Sequence, residues 1–142
     1  MVRSSDVALL VCVFGSHSGL TIKGRTRIQK TVCVLKYSAK VPFEFDFHSY
    51  FYGPYSDDLT DAINGLVGMK ILDEKIVPTD YGSYRYEYEL TKEGWKFYEK
   101  VKKKLESSTL QIVDSEVKKL EETRTKDLVS LAKIVSNMPS II

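Results

Sequence analysis

The sequence has few of the residues that build metal centres and catalytic sites. Its 142 residues include two cysteines, Cys12 and Cys33, and two histidines, His17 and His48. Two cysteines without a C-x-x-C spacing indicate neither a zinc site nor a disulfide scaffold, so we expect two buried thiols. The motifs of zinc proteases, serine hydrolases and nucleotide-binding loops are absent. We therefore predict no enzyme activity, no cofactor and no metal site.

Long apolar runs are also missing. A membrane-spanning helix needs ~20 apolar residues, and the longest run here covers residues 7–14. The chain does not open with the basic start and apolar core of a secretory signal. We therefore expect a cytoplasmic protein without a membrane partner. Glutamine and asparagine are scarce whereas lysine and glutamate abound, a bias typical of thermophile proteins, including archaeal ones.

Charge is distributed unevenly, although the net charge is only +2. Residues 1–45 hold seven Lys or Arg and two Asp or Glu, residues 46–90 hold three and nine, and residues 91–142 hold eleven and eight. Both ends are therefore basic and the middle is acidic. Phosphate-rich partners favour the ends, and basic partners favour the middle.

Apolar periodicity predicts three helices, a β-hairpin and a further helix, in that order. The first helix is apolar all round, which predicts deep burial, and Ser5 or Asp6 is its expected cap. Ser56 and Thr91 are the expected caps of the third and fourth helices. In the second hairpin strand, tyrosines alternate with charged residues. The predicted elements are helices at 5–14, 24–39, 57–68 and 91–105, a short extended piece at 20–22, and strands at 71–78 and 84–90.

An aromatic block fills the chain between the second and third predicted helices. Phe43, Phe45 and Phe47 alternate with polar residues, which is typical of an extended segment. Gly53-Pro54 is expected to break the chain. We interpret the block as a core plug between the two helices, with some tyrosines at the surface. The alternative is a platform on which unpaired bases stack.

Two amphipathic helices, or one interrupted helix, are predicted after residue 105. Their apolar residues repeat at spacings that resemble those of coiled coils. Such stripes need a partner surface, so the helices either fold back on the preceding domain or pair with a second chain. We favour a homodimer, with residues 1–105 as one domain and residues 106–142 as a helical arm that dimerises it.

The order of elements resembles that of winged-helix domains, an α+β fold in which the second and third helices form a helix-turn-helix and the hairpin is the wing. Residues 88–94 (Y-E-L-T-K-E-G) resemble the wing exit of MarR-like and PadR-like regulators. Residues 27–30 (R-I-Q-K) and 50–59 (Y-F-Y-G-P-Y-S-D-D-L) resemble the pattern of YwgA-like proteins and, more loosely, of the SocA-type antitoxins with a Panacea domain. The resemblance implies a winged-helix-like fold.

The leading functional hypothesis is a DNA-binding transcriptional regulator. Basic residues at the start of the second helix and the wing would contact phosphates, and polar residues of the third helix would contact bases. The wing residues are interpreted equally well as a solvated hairpin tip that has no binding role. The candidate DNA-binding residues are Lys23, Arg25, Arg27, Lys30, Ser56, Thr60, Asn64, Ser83 and Arg85.

The third predicted helix also supports a different class of function. Asp57, Asp58 and Asp61 would lie beside DNA phosphates and oppose binding. The alternative hypothesis is therefore an antitoxin-like protein-interaction module, in which these three acids face a basic partner. A purely structural interpretation is that acids suit the N-terminus of their own helix.

Overall fold

The computed structural model describes residues 2–19 and 21–141, which form a mixed α+β fold with two small antiparallel sheets. The prediction of an α+β class is confirmed. Leu20, the start of the predicted extended piece, lies outside the described residues. The helices are α1 (Ser4–Ser16), α2 (Arg25–Tyr37), α3 (Asp57–Gly68), α4 (Lys92–Lys102), α5 (Ser107–Glu121) and α6 (Thr125–Ser136). The strands are β1 (Ile22–Lys23), β2 (His48–Tyr50), β3 (Gly53–Tyr55), β4 (Leu72–Pro78) and β5 (Tyr84–Leu90).

Helix α1 runs through the core, as its uniform apolar character predicted. All residues from Leu9 to Phe14 are buried. The expected cap at Ser5 or Asp6 is wrong, because the helix already begins at Ser4 and its N-cap, Arg3, makes no capping bond within the part of the chain that the structure describes. The buried Asp6 carboxylate instead accepts the Glu44 backbone N–H at 2.8 Å. Asp6 therefore fastens the segment after α2 to the start of α1.

The larger sheet has the strand order β1-β5-β4. Its central strand β5 places Tyr88 opposite Ile22 on one side and Glu74 on the other. Tyr88 is buried, whereas Tyr84 at the far end of the same strand is exposed. The hairpin thus leaves the core toward its tip. None of the described helices is both long and apolar enough to cross a bilayer.

The connection between α2 and α3 continues through Gly53-Pro54, where the sequence analysis expected regular structure to be interrupted. Residues 41–47 alternate as predicted, with Val41, Phe43, Phe45 and Phe47 buried. Beyond them, β2 and β3 form a hairpin that the sequence analysis did not predict. Gly53 and Pro54 belong to its second strand, so they continue the chain. Gly53 adopts a φ of 94°, which favours glycine, and the Lys133 side chain lies beside it.

The C-terminal segment forms two helices that fold back within the same chain. Helix α5 packs on α1, and α6 packs along α2 in the most extensive helix–helix contact. Val113, Val117, Leu120, Leu128 and Ala132 are buried there. Most of the apolar stripe is therefore covered without a second copy, and the homodimer stays a prediction.

Both cysteines are buried free thiols, as expected. Burial raises the pKa of Cys12 and of Cys33 to about 11. Neither thiol is therefore ionised near neutral pH, and both act as small apolar core residues.

The close approach of α4 to Ile71 yields a stability test. Thr91 caps α4 as predicted, accepting the Gly94 N–H at 2.9 Å, and its own N–H donates to the Ile71 carbonyl. A Cβ at Gly94 would collide with that carbonyl oxygen. We expect Gly94→Ala to lower the free energy of unfolding by about 1–3 kcal/mol, because the core must shift to admit it.

Gly65→Ala is the matched control for this substitution. A Cβ at Gly65, within α3, meets nothing within 4 Å. Alanine should stabilise that helix by about 0.5–1 kcal/mol through its propensity. Urea unfolding followed by circular dichroism measures both variants. Equal effects at the two positions would contradict the close contact of α4 with Ile71.

Candidate functional site

The two motif segments that carry the resemblance meet where α2, the β2–β3 hairpin and α3 converge. The Gln29 side chain pairs with the backbone of Ser56 in both directions. Its Oε1 accepts the Ser56 N–H at 2.9 Å, and its Nε2 donates to the Ser56 carbonyl at 2.9 Å. The Nε2 also donates to Thr60 Oγ1 at 3.1 Å. Gln29 is buried, so these bonds are shielded from water.

Lys30 is the second link between α2 and the hairpin. Its side chain is buried, and Nζ donates to the Pro54 carbonyl at 2.7 Å. Burial lowers the pKa of Lys30 to about 8. No carboxylate among the described residues pairs with this ammonium group, whose hydrogen-bond partner there is the Pro54 carbonyl. Lys30 was predicted to contact a phosphate backbone, and the fold instead encloses it.

Arg25 and Arg27 also bond internally. Arg25 Nε donates to Tyr88 Oη at 2.6 Å, Nη2 contacts Glu74 at 3.2 Å, and the guanidinium lies over the Tyr86 ring. Arg27 donates to the carbonyls of Leu120 and Thr123, which precede α6. Arg25 thus fastens α2 to the larger sheet, and Arg27 fastens it to the turn between α5 and α6.

The remaining predicted cations lie apart from this cluster. Lys23 is exposed on β1. Arg85 is exposed on β5, where Nη2 pairs with Glu87 at 2.7 Å. Ser83 stands at the hairpin tip, 2.8 Å from the Thr79 hydroxyl. The fold therefore does not gather the predicted phosphate contacts into one basic surface.

The predicted base-reading residues of α3 differ in exposure. Ser56 is the predicted cap, buried, with Oγ accepting the Leu59 N–H at 3.2 Å. Thr60 Oγ1 is 2.7 Å from Tyr55 Oη and also accepts from Gln29. Asn64 is exposed. Two of the three side chains thus bond within the fold, and Asn64 faces solvent.

The three predicted partner-binding acids lie together on α3. Asp57 and Asp61 are exposed, and Asp58 is half-buried. Asp58 lines a groove of about 380 Å³ with Arg3, Glu44 and Asp46. We call Glu44, Asp46, Asp57, Asp58 and Asp61 the acidic surface. Arg3 pairs with Glu44 at 2.9 Å at its edge.

His48 adjoins the acidic surface, and its contact with Asp57 affects its pKa. Its Nε2 is 3.1 Å from Asp57 Oδ2, and its Nδ1 is 3.0 Å from the Ser49 carbonyl. Hydrogen bonding to the Ser49 carbonyl and to Asp57 raises the pKa of His48. The imidazolium form therefore persists to higher pH than in an unfolded chain and offsets part of the negative charge.

A small pocket that the sequence analysis did not predict lies between α2 and the β2–β3 hairpin. We call it the hairpin pocket. Its walls include Arg25, Thr26 and Lys30 of α2, and the rings of Tyr50, Phe51 and Tyr52. The sequence signal was present in the tyrosines around Gly53, whose polar tips indicate partial exposure. Phe51 gave no such signal, yet it is 45% exposed.

Within residues 2–19 and 21–141, no group of three or more His, Cys, Asp or Glu side chains is placed to hold a metal ion. His17 is half-enclosed near Glu121, and its pKa is lowered by burial.

Comparison with known proteins supports the similarity predicted from the motifs. No protein-family model matches the sequence. The chain is 40% identical over 92 residues to a Bacillus subtilis (strain 168) protein described as "Uncharacterized protein YwgA". The match covers 63% of this chain and 52% of that protein, so the chain spans about half the length of its relative. The predicted similarity to a YwgA-like protein is thereby confirmed, and the similarity to Panacea-domain antitoxins stays a prediction.

The Gln29–Ser56 pairing predicts a large effect of a single side chain. Gln29→Met keeps the length of the side chain but leaves the buried Ser56 N–H without its Gln29 partner, whereas the Ser56 carbonyl keeps the Thr60 N–H. We expect the free energy of unfolding to fall by about 1–3 kcal/mol, the cost of one unsatisfied buried polar group.

The chain supplies a control for this substitution in its other glutamine. Gln111 is exposed on α5, so Gln111→Met should change stability by less than about 0.5 kcal/mol. Urea unfolding of both variants measures the difference. A Gln29→Met variant as stable as Gln111→Met would show that the pairing does not hold α3 in place.

Proposed function

We propose that the protein is a winged-helix module that binds a basic protein partner through its acidic surface. The sheet order β1-β5-β4 and the position of α2 and α3 before the β4–β5 hairpin support the winged-helix part of the proposal. The connection of α2 to α3 is longer than a simple helix turn, because it contains the β2–β3 hairpin.

The positions of the basic residues that were predicted to bind DNA support the functional part of the proposal. Arg25, Arg27 and Lys30 bond to acceptors within the fold, whereas Asp57 and Asp61 face solvent on α3. A recognition helix for DNA would bring these acids close to phosphates, where like charges repel. A partner with lysine or arginine side chains would gain favourable charge pairs at the same place.

The shape of the acidic surface supports a protein partner. The extended segment 41–47 directs Glu44 and Asp46 outward between its buried aromatic residues, next to Asp58. Two elements of different geometry thus contribute acids to one groove. A basic peptide or helix that lies in this groove would contact both elements.

Neutralising the acids of α3 tests the proposal. The triple variant Asp57→Asn, Asp58→Asn, Asp61→Asn keeps side chains that suit a helix N-terminus. A fluorescent lysine-rich peptide serves as the probe, and its affinity is measured by anisotropy at two salt concentrations. We expect roughly tenfold weaker binding by the variant, because each exposed pair contributes up to about 1 kcal/mol.

A second triple variant controls for net charge. Glu93→Gln, Glu99→Gln and Glu122→Gln change the charge by the same amount at exposed positions outside the acidic surface. It should bind the peptide nearly as the parent protein does. Equal losses in both variants would mean that the peptide senses only net charge, and the acidic surface would be rejected as a binding site.

DNA association is a second candidate function, favoured by a row of lysines on α4. Lys92, Lys96 and Lys100 are exposed on α4, and Lys103 is exposed directly after it. Their spacing places them along one side of the helix. Such a row would follow a phosphate backbone beside the wing. A DNA-bound regulator would then use α4 and the hairpin, with α3 turned away from the phosphates.

Salt-dependent binding to random duplex DNA tests this candidate. We expect Lys92→Gln, Lys96→Gln and Lys100→Gln together to reduce the slope of log K against log salt by about 3, since each phosphate contact contributes about 0.9. The matched control carries Lys118→Gln, Lys119→Gln and Lys126→Gln, exposed lysines of α5 and α6. Absence of binding by the parent protein at low salt would remove DNA from the account.

A further inference from the structure

The hairpin pocket carries an inference that does not depend on the proposed function, since none of its lining residues belongs to the acidic surface. The pocket has a volume of about 110 Å³. An apolar cavity of about 150 Å³ holds one benzene molecule, whereas sites for drug-sized ligands span about 300–1,000 Å³. The pocket is therefore smaller than a cavity that encloses one ring, and a single-ring ligand would be only partly enclosed by it.

Aromatic side chains form one wall of the pocket. Tyr50 is 39% exposed, Phe51 45% and Tyr52 65%, whereas Phe43, Phe45 and Phe47 in the preceding segment are buried. The Tyr50 and Phe51 ring centroids are 4.6 Å apart. Adjacent exposed rings leave apolar surface in contact with water, and a planar ligand would cover it by stacking.

Lys30 gives the pocket its charge. Lys30 is 3% exposed. Burying an ammonium group that has no carboxylate partner among the described residues costs folding free energy. The Pro54 carbonyl takes one of its three N–H donors. The positive charge of Lys133 repels the Lys30 ammonium group, so it adds to the positive potential around Lys30. An anion in the pocket would offset both charges.

The first turn of α2 adds to this potential from a different direction. Arg25 and Thr26 are the first two residues of this thirteen-residue helix, and both line the pocket. No acidic side chain stands in the first turn, and no side chain among the described residues caps the helix. The N-terminal N–H groups and the helix dipole therefore favour negative charge at the pocket.

We propose that the hairpin pocket binds a small organic anion with one planar ring and one carboxylate. The ring lies against Tyr50, Phe51 and Tyr52, and the carboxylate faces Lys30 and the first turn of α2. The aromatic wall supplies contact area, and the cationic side supplies specificity for a charged ligand over its neutral counterpart.

Benzoate is the probe that tests this site, with benzyl alcohol and acetate as partial mimics. Two-dimensional NMR of the labelled full chain reports binding through the backbone amides of Thr26 and Phe51. We expect saturable shifts with benzoate, and at least about tenfold weaker binding of benzyl alcohol and of acetate, because each lacks one of the two contacts.

Two variants separate the site from the fold. Lys30→Met keeps the length of the side chain and removes the charge, and Thr26→Glu places a carboxylate in the first turn, where it favours the helix but repels an anion. Both should weaken benzoate binding at least about tenfold. Lys126→Met, an exposed control on α6, should bind as the parent protein does.

The outcomes decide the inference even if one variant fails to fold, because circular dichroism identifies that variant and the other remains. Saturable binding that both charge variants weaken supports the site. Shifts that never saturate, shifts confined to other amides, or equal affinities for benzoate and benzyl alcohol would overturn it.

Discussion

The reciprocal pairing of the Gln29 amide with the Ser56 backbone is the contact from which the rest of the junction follows. Ser56 caps α3, so Gln29 fixes where that helix begins relative to α2. Lys30, one residue further along α2, fixes β3 through the Pro54 carbonyl. The connection between the two helices is long, and these bonds hold its far end, whereas Asp6 and Lys36 hold its middle at Glu44 and Phe45. The acidic surface includes the first residues of α3, and the hairpin pocket lies between α2 and the β2–β3 hairpin, so both depend on this joint.

The long cationic side chains of α2 act chiefly as internal fasteners. Arg25 reaches the larger sheet, Arg27 reaches the turn before α6, and Lys36 donates to the Phe45 carbonyl. Each thereby joins α2 to an element distant in the sequence or to the segment that follows α2. The consequence is that the charge of the first 45 residues overstates the positive charge available at the surface. The acids between residues 44 and 61 are more exposed, so the sign of the surface near α3 is opposite to that of α2.

The elements that the sequence predicted well are those whose pattern is local. The uniform apolar run of α1, the alternation in β5 and the caps Ser56 and Thr91 depend on residues close together in the chain. The β2–β3 hairpin was missed because Gly53-Pro54 usually interrupts a strand. The role of Arg27 was missed for another reason, since its acceptors lie more than 90 positions away. Residue types alone indicated the acids of α3 as a candidate partner-binding site. The hairpin pocket is formed by α2 and the β2–β3 hairpin together, so it could be found only in the structure.

The packing of α6 along α2 also has a consequence for the order in which the chain matures during synthesis. The Cys33 thiol contacts the Ala132 carbonyl, which lies 99 positions further along the sequence. Helix α6 can therefore cover α2 only after the residues up to α6 have been synthesised. A nascent chain that has reached only α4 presents the apolar face of α2 to water, and such surfaces favour association with other chains. Contacts of this sequence separation also slow folding, because the intervening loop must close first. Holding by a chaperone at the ribosome would therefore matter most until α6 emerges.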